Sequence, residues 1–439
     1  MMRGLLIASA LCLPLAAHAA GPTCLPETYG AAHDGVTNDT AAIQAAIAAC
    51  TGTGTANAGT VELDKGTYLS DQLVLSSFTT LQIDAGVTLL SNITYANYKS
   101  ATTIPDALII LNTAADQKYV AITGSGTIEG QGGVVDPVSG YSWWTDPGAA
   151  STKPRLVTMR KGQNITVSGV TMQNSPSMHL ILQQVYTANI TGMTVNTPSN
   201  LPAGSTSAEA DAAAPNTDGM DIEGNNLTIT GNTMSGGDDN IVIKAQHTDL
   251  HDKDLPVSRN IIISGNKILL GHGISIGAQT NAGVRGVTIS NNTFEGTNYG
   301  FHFKASIGQG GDVSAVTVDT ATMTDVEYPI AVESYYPSVP AADTACASQA
   351  EVPYWHDIRF NNIVSSAGSG TFLPQFVGLP CAPIRKVTIS NSTFVANKAP
   401  MTRNAAVDLS NVSYATTRKP SLLLGPNVHL HAVGTAAAQ

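Results

Sequence analysis

The chain has 439 residues and a formal net charge of −11, and only 12% of its residues are charged. This acidic balance argues against nucleic acid as a partner, because binding to phosphates requires clustered lysine and arginine. It also means that an acidic substrate would need a locally positive site.

The first 19 residues have the pattern of an export signal. A short basic start, residues 1–3, precedes a mostly apolar run, and Ala17-His18-Ala19 is typical of a cleavage site. The run is shorter than the roughly 20 apolar residues that a membrane-spanning helix needs. We therefore expect a signal peptide at residues 1–19, a single domain over residues 20–439, and a secreted protein, extracellular or periplasmic, without a membrane partner.

The cysteine count predicts disulfides. Cys12 lies in the signal, which leaves Cys24, Cys50, Cys346 and Cys381. An even number of cysteines in an exported chain is typical of disulfide bonding, and proximity favours Cys24–Cys50 and Cys346–Cys381 among three possible pairings. The pairs lack the short spacing of zinc ligands, so we expect no metal and no cofactor.

One helix is predicted near the N-terminus. Asp39 or Thr40 would cap an alanine-rich run over residues 41–49, in which Ile43 and Ile47 lie on one face. The repeats described next predict a solenoid, whose open end must be covered, and this helix is placed to cover it.

A short motif then recurs along the chain: apolar, any, apolar, then a small polar residue, often followed by glycine or asparagine. Copies begin at Val120, Ile165, Leu227, Ile261, Val287, Val316, Ile358 and Val387. The alternation indicates strands with one buried face, and spacings of about 20–50 residues indicate a solenoid or a propeller. We predict an all-β fold, a right-handed parallel β-helix. A propeller would have more uniform repeats and an aromatic signature, and only 5% of residues are aromatic.

Three aspartates stand out among so few charges: Asp218, and the adjacent Asp238 and Asp239. Hydrolysis of a glycosidic bond needs one carboxyl group to protonate the leaving oxygen and another to activate water. Asp218 and Asp238 are 20 residues apart, about one coil, so they should lie on neighbouring rungs about 4.8 Å apart. Asp221 and Glu223, in the same stretch, are interpreted as ordinary solvated carboxylates.

A histidine and a lysine follow at similar spacing. His272 sits between two glycines, 33 residues after Asp239, and Lys304 lies 32 residues further on, beside His302. His272 could share a proton with an aspartate, and Lys304 could neutralise a substrate carboxylate. Taken singly, each could equally be structural.

Three motifs, in this order and spacing, resemble the signature of the polygalacturonases, which are inverting hydrolases of pectin: Asn216-Thr217-Asp218, Gly237-Asp238-Asp239 and Gly271-His272-Gly273. The resemblance covers roughly residues 24–400. It implies that Asp238 is the general acid and that Asp218 and Asp239 activate water. It also implies that His272 tunes the acid. Inversion would place acid and base ~6.5–9.5 Å apart, leaving room for water.

The resemblance also implies substrate-binding residues, namely Asn216, His302, Lys304 and Tyr336, with Tyr335 as a rival for the tyrosine. The family usually has arginine at the position of His302. Arginine is always charged and binds a carboxylate through two hydrogen bonds, which histidine cannot do. This departure leaves the preference for galacturonate open.

We therefore expect a monomeric enzyme that acts on a pectic polysaccharide and hydrolyses α-1,4-galacturonosidic bonds. A hydrolase of a related pectic polymer, such as rhamnogalacturonan or a substituted galacturonan, is an alternative. A calcium-dependent β-helical lyase and a non-catalytic carbohydrate-binding solenoid are two others.

Overall fold

A computed structural model describes residues 21–149, 152–344, 351–366, 368, 371–416, 423–433 and 436–437. The predicted signal peptide lies outside the described residues. Within them the chain forms 33 strands. In chain order these are β1 (Thr23–Cys24), β2 (Asp34–Asn38), β3 (Gly59–Leu63), β4 (Thr67–Ser70), β5 (Leu73–Leu75), β6 (Thr79–Ile83), β7 (Thr88–Ser91), β8 (Ala107–Leu111), β9 (Ala121–Gly124), β10 (Thr127–Glu129), β11 (Arg155–Arg160), β12 (Gln163–Ser168), β13 (Thr171–Gln173), β14 (Leu180–Thr191), β15 (Thr194–Asn196), β16 (Met220–Thr230), β17 (Thr233–Ser235), β18 (Ile241–Ile243), β19 (Ser258–Ser264), β20 (Lys267–Ile268), β21 (Ile274–Ile276), β22 (Val284–Glu295), β23 (Tyr299–Lys304), β24 (Asp312–Thr324), β25 (Tyr328–Glu333), β26 (Tyr354–Ser366), β27 (Gln375–Val377), β28 (Ile384–Ala396), β29 (Met401–Arg403), β30 (Ala405–Thr416), β31 (Leu423–Leu424), β32 (Val428–Val433) and β33 (Ala436–Ala437).

The described helices are short. They are α1 (Thr40–Cys50), α2 (Tyr95–Tyr98) and α3 (Ser207–Ala213), and 3-10 turns span Pro26–Tyr29, Thr55–Asn57 and Pro147–Ala149. None of the helices in the described part of the chain is long and apolar enough to cross a membrane.

The strands pair in parallel, each with its counterpart in the next coil, and form a right-handed parallel β-helix, as predicted. Three ladders of strands run along it. Ladder A contains β5, β8, β11, the first part of β14 and of β16, and then β18, β21, β23, β25, β27, β29 and β31. The predicted site residues lie on this ladder or just before its strands.

The repeated motif marks the interior of the helix. Its first apolar residues stand opposite one another in successive coils and are almost fully buried; they are Leu227, Ile261, Val287, Val316, Ile358 and Val387. Burial of each such side chain favours folding by about 1.5–3 kcal/mol. The alternating pattern therefore predicted both the strands and their inward face.

Helix α1 lies against β1, β3 and β5, at the N-terminal end. Ile43 and Ile47 are buried, as the helical spacing predicted. The predicted cap is wrong in its mechanism. The carboxylate of Asp39 makes no capping bond to α1 and instead accepts hydrogen bonds from the backbone of Ala32 and His33.

A disulfide between Cys24 and Cys50 joins β1 to the end of α1, as predicted. Cys381 is also disulfide-bonded. Cys346, the predicted partner of Cys381, lies outside the described residues.

Three buried asparagines form a ladder that links equivalent positions of successive coils. Asn232, Asn266 and Asn292 are each 1% exposed. The side-chain oxygen of Asn266 accepts from both nitrogens of Asn232, and that of Asn292 accepts from both nitrogens of Asn266, all at 2.9 Å. Each amide thus satisfies backbone and side-chain groups of its neighbour, which would otherwise be buried without partners.

Substitution Asn266→Ala should lower the free energy of unfolding by about 1–3 kcal/mol for each buried group left unpaired. The measurement is urea denaturation followed by circular dichroism. Asn225→Ala is the control, because this side chain is partly exposed and bonds at the surface to Asn260. Equal midpoints for the two variants would contradict a stabilising role for the ladder.

Candidate active site

The predicted acids meet where strands of ladder A begin. The amide of Gly219 donates to the carbonyl of Asp239, and the amide of Asn240 donates to that of Gly273. The segments that carry Asp218, the Asp238–Asp239 pair and His272 therefore lie on three successive coils. The chain bends between β17 and β18, and both adjacent aspartates belong to the same site despite being neighbours in sequence.

The glycines around His272 are required by the backbone. Gly271 has φ +124° and Gly273 has φ +75°, which side chains with a Cβ rarely adopt. A Cβ on Gly273 would also lie 2.1 Å from the carbonyl oxygen of Tyr299 on the next coil. These close approaches place the His272 ring beside the carboxylate of Asp238, where it makes a 3.1 Å contact through Nδ1.

Asp239 is a fixed, buried carboxylate. Both of its oxygens accept from the ammonium of Lys304, at 3.0 and 2.9 Å, and Oδ1 also accepts from the hydroxyl of Ser275 at 2.7 Å. Burial disfavours its charge, but the cations of Lys304, Lys244 and His272 together outweigh burial and hold the pKa of Asp239 well below its usual range. Asp239 is therefore ionised under all ordinary conditions.

Asp218 has the opposite electrostatic character. Burial raises its pKa, and the nearby carboxylates of Asp221, Asp238 and Asp239 raise it further. Its Oδ1 has no hydrogen-bond partner among the described residues. Asp218 therefore holds a proton at pH values at which Asp239 has lost its own.

The interpretation of Asp221 and Glu223 as solvated carboxylates is wrong. Burial raises the pKa of Asp221, which lies against Asp218 and 4.0 Å from the ammonium of Lys244. Glu223 is only 3% exposed, and its carboxylate accepts from the backbone and contacts the ring of His247. Both side chains alternate outward along β16, and neighbouring coils and the loop after β18 cover them.

Asp238 differs from the other acids in its exposure. Its side chain is 19% exposed and that of His272 is 20% exposed, against 3% for Asp239. The amide of Asn216 donates to Oδ2 of Asp238 at 3.3 Å. Burial alone would lower the pKa of His272, but the hydrogen bond and charge of Asp238 raise it overall. The accessible acid therefore shares a proton with a basic partner.

A metal ion is a poor fit for this cluster. Ligand atoms of Asp238, Asp239 and His272 lie within 4.8 Å of one another, a spacing that a metal could use. Both oxygens of Asp239, however, already accept from the Lys304 ammonium. A second cation there would be repelled, and the arrangement suits proton transfer instead.

His302 and Lys304 lie on β23, with Tyr336 just after β25. The His302 ring stacks on Tyr299, with centroids 3.7 Å apart, and its Nε2 is 2.9 Å from the carboxylate of Glu333. The Tyr336 ring lies 4.9 Å from the Lys304 ammonium. The structure thus brings all four predicted binding residues, Asn216 included, to the acids.

Tyr335, the rival to Tyr336, lies elsewhere. It is 9% exposed, the side chain of Arg403 lies over its ring, and its hydroxyl is 3.3 Å from Asp343. It belongs to a small separate core.

On the N-terminal side of the acids, ladder A borders a cavity of about 270 Å³ lined by Arg155, Arg160 and Lys244, among others. Both arginines pair with the carboxylate of Asp106, at 2.9 and 2.6 Å, and Arg160 also donates to the side-chain oxygen of Gln183. Asp221 and Glu223 line the same cavity, so three cationic side chains and two carboxylates meet there. It is the place beside the acids where cationic side chains cluster, as an acidic substrate would need.

Sequence reasoning assigned no role at the acids to two residues that position them, His179 and Asn240. The buried His179 ring contacts the backbone carbonyl of Asp218 through Nδ1 at 2.9 Å and the hydroxyl of Thr197 through Nε2 at 2.7 Å. Burial lowers its pKa to about 4, so it is a neutral spacer. Asn240 bridges to Leu270 and Gly273 on the next coil. No local spacing signals these contacts, since they join different coils.

The chain is a parallel β-helix in which ladder A brings together carboxyl groups with opposite pKa shifts. This combination places it in the class of β-helical glycoside hydrolases. The model of glycosyl hydrolases family 28 matches residues 51–410 of this chain, and the chain belongs to that family.

Among curated relatives, an endo-polygalacturonase of Pectobacterium carotovorum subsp. carotovorum is 33% identical over 346 residues, which cover 74% of this chain and 77% of the relative. An endo-polygalacturonase of Pectobacterium parmentieri is 32% identical, covering 68% of this chain and 71% of its own. Among solved structures, a Yersinia enterocolitica family 28 exopolygalacturonase shares the fold with a TM-score of 0.75 at 20% identity, covering 94% of this chain and 78% of its own.

The ion pair of Lys304 and Asp239 yields a prediction for stability. In Lys304→Met the buried carboxylate loses its cation, which should cost about 3–5 kcal/mol at neutral pH. The lowered pKa of Asp239 means that the pair stabilises the wild type above the ordinary aspartate pKa and loses this effect as the pH falls. In the variant, burial raises the pKa of Asp239, and protonation at acidic pH removes the penalty. The gap in melting temperature should therefore shrink from pH 7 to pH 4.

Lys386→Met is the control for this experiment, since Lys386 is 73% exposed and forms a surface pair with Asp357. A gap for Lys304→Met that is equally large at both pH values would show that Asp239 does not depend on Lys304 for its ionisation.

Proposed function

We propose that this protein is a secreted, monomeric polygalacturonase that hydrolyses α-1,4-galacturonosidic bonds of pectin with inversion. The observation that carries the proposal is the different environment of each of three carboxyl groups on two adjacent coils. Asp238 is accessible and hydrogen-bonded to His272, the pKa of Asp239 is lowered by the cations around it, and the pKa of Asp218 is raised by burial. Family membership and relatives named as polygalacturonases support the substrate.

Asp238 acts as the general acid. Its side chain is partly exposed, and the His272 imidazole beside it stores the proton that the leaving oxygen receives. Asn216 holds the second oxygen of the carboxyl group and fixes its orientation.

Asp239 acts as the base. It accepts the proton of the attacking water through an oxygen that Lys304 keeps ionised. The neighbouring carboxyl group of Asp218 donates a hydrogen bond that holds this water. Because one carboxyl group is charged and the other neutral, the pair binds water without the repulsion of two carboxylates.

The proposed inversion of configuration depends on the relation between Asp238 and Asp239. One oxygen of Asp239 lies within 4.8 Å of one oxygen of Asp238, which is closer than the ~6.5–9.5 Å expected between the carboxyl groups for inversion. Both oxygens of Asp239 already accept from Lys304, and the resemblance to the polygalacturonases, which are inverting hydrolases, supports water as the group that bonds to the sugar. We therefore propose that the reaction inverts the anomeric configuration.

The substrate carboxylates bind in the cavity of Arg155, Arg160 and Lys244. Export rests on the signal pattern of residues 1–19. A hydrolase of a related pectic polymer is a second candidate, and the presence of His302 where the family usually has arginine favours it.

The proposal is tested by incubating the protein with polygalacturonate. Proton NMR should show reducing ends released first as the β anomer, because inversion of an α linkage gives β. Asp238→Asn should lower the rate about 10²–10⁴-fold, since the leaving oxygen then receives no proton.

Asp116→Asn is the matched control, since Asp116 is exposed and far along the chain from these motifs. Near wild-type turnover in Asp238→Asn would refute the assignment of the acid, and the α anomer as first product would refute inversion.

The shared proton also predicts the alkaline limit of activity. The pKa of His272 is raised, so the Asp238–His272 pair keeps its proton to higher pH and activity is lost as the pH rises through that value. In His272→Gln the alkaline fall of kcat/KM should move to lower pH. His356→Gln, on a partly exposed surface histidine, should leave the profile unchanged. An alkaline limb unmoved in His272→Gln would show that His272 does not share the proton.

A further inference from the structure

The two sides of the acids differ in charge. Toward the N-terminus, Arg155 and Arg160 share one carboxylate, and Lys244 faces Asp221, whose pKa burial raises. Three cationic side chains therefore line that side, together with the carboxyl groups of Asp221 and Glu223. Toward the C-terminus lies a cluster that we call the histidine subsite, formed by Tyr299, His302, Lys304, Glu333 and Tyr336.

The lysine of the histidine subsite is already neutralised. Its ammonium donates to both oxygens of Asp239, and the pair is 96–97% buried at its side chains, with 4% and 3% exposed. A substrate carboxylate would have to compete with this closed ion pair. Because the pair fixes the base, Lys304 has little positive charge left to offer a second anion.

The histidine of the subsite adds no positive charge. Its Nε2 hydrogen bonds to the Glu333 carboxylate, while Nδ1 is buried without a hydrogen-bond partner among the described residues. Burial lowers the pKa of His302, and the Lys304 ammonium lowers it further. In the neutral ring, the Nε2 proton points to Glu333 and the Nδ1 lone pair is an acceptor, which disfavours a nearby anion.

Glu333 leaves the subsite with a surplus of negative charge. It is 6% exposed, and its partner among the described side chains is the neutral His302. Charges in so buried a position act over several ångströms with little screening by water. Because Asp239 neutralises the charge of Lys304, the Glu333 carboxylate would repel a sugar carboxylate bound here.

The walls of the subsite are aromatic. Tyr299 stacks on His302 at 3.7 Å with an interplanar angle of 7°, and Tyr336 lies across the same ring at 6.2 Å. Both tyrosines are partly exposed. Aromatic faces favour the C–H face of a sugar and a small apolar substituent over a charged group.

We propose that the sugar unit bound at the histidine subsite is uncharged, a galacturonate whose carboxyl group is methyl-esterified, and that Glu333 sets this preference. The inference rests on the proposed function, since it concerns the neighbouring unit of the same polymer. The enzyme would then cut at partly esterified stretches of pectin, with a free galacturonate on the arginine side and an ester on the histidine side.

The test compares kcat/KM on polygalacturonate with kcat/KM on a partly methyl-esterified sample of the same polymer. The wild type should prefer the esterified polymer. Glu333→Gln keeps an acceptor for His302 but removes the charge, and it should raise kcat/KM on polygalacturonate about tenfold, mainly through KM. Glu327→Gln is the matched control, an exposed carboxylate on the same coil, and should leave the ratio of the two values unchanged.

A binding measurement makes the test independent of turnover and of Glu333 variants. Calorimetry on Asp238→Asn should show tighter binding of a methyl-esterified galacturonate oligomer than of the free acid. Failure to hydrolyse either polymer would refute the proposed function. Hydrolysis of both, with a preference of the wild type for the unesterified polymer or with a ratio unmoved in Glu333→Gln, would refute the inference alone.

Discussion

The in-register pairing of successive coils is the constraint on which the whole site depends. Along ladder A, Met220, Ile241, Ile274 and Phe301 stand opposite one another, although 21, 33 and 27 residues separate them in sequence. Coils of different length keep this register because their extra residues leave the ladder at the turns. A slip by one residue would turn the outward-facing Ser275 and His302 into the core. The acids meet only because buried apolar side chains fix the pairing.

The fixed register of the coils also determines how the buried groups at the site ionise. An ion pair such as that of Lys304 and Asp239 gains little net stability over an apolar pair, since both groups lose their hydration. Its consequence is that the pKa of Asp239 is lowered while burial raises the pKa of the neighbouring Asp218. Acid and base are thus separated by their surroundings and not by residue type. His179 contributes by holding the carbonyl of Asp218 without carrying charge itself.

The sequence permitted accurate prediction of whatever depends on periodicity. The strand motif predicted the inward faces, and the helical spacing of Ile43 and Ile47 predicted the buried face of α1. The residues that meet at the site could be expected to do so because whole coils separate them. Contacts between particular side chains of different coils were beyond such reasoning. Asp39 bonds to the preceding loop instead of capping α1, and Asp221 is buried because neighbouring coils cover it, which its own segment does not reveal.

The histidine at position 302 illustrates the same limit. From sequence alone, His302 stands where the family usually has arginine, and the expected effect is weaker binding of a carboxylate. In the structure, Glu333 stands beside it on the next coil, and even an arginine there would be neutralised by that carboxylate. The identity of residue 302 therefore cannot by itself decide the charge of the subsite. Tyr299, stacked on the ring, and Glu333, bonded to its edge, make a single aromatic and acidic surface, and selectivity belongs to this combination.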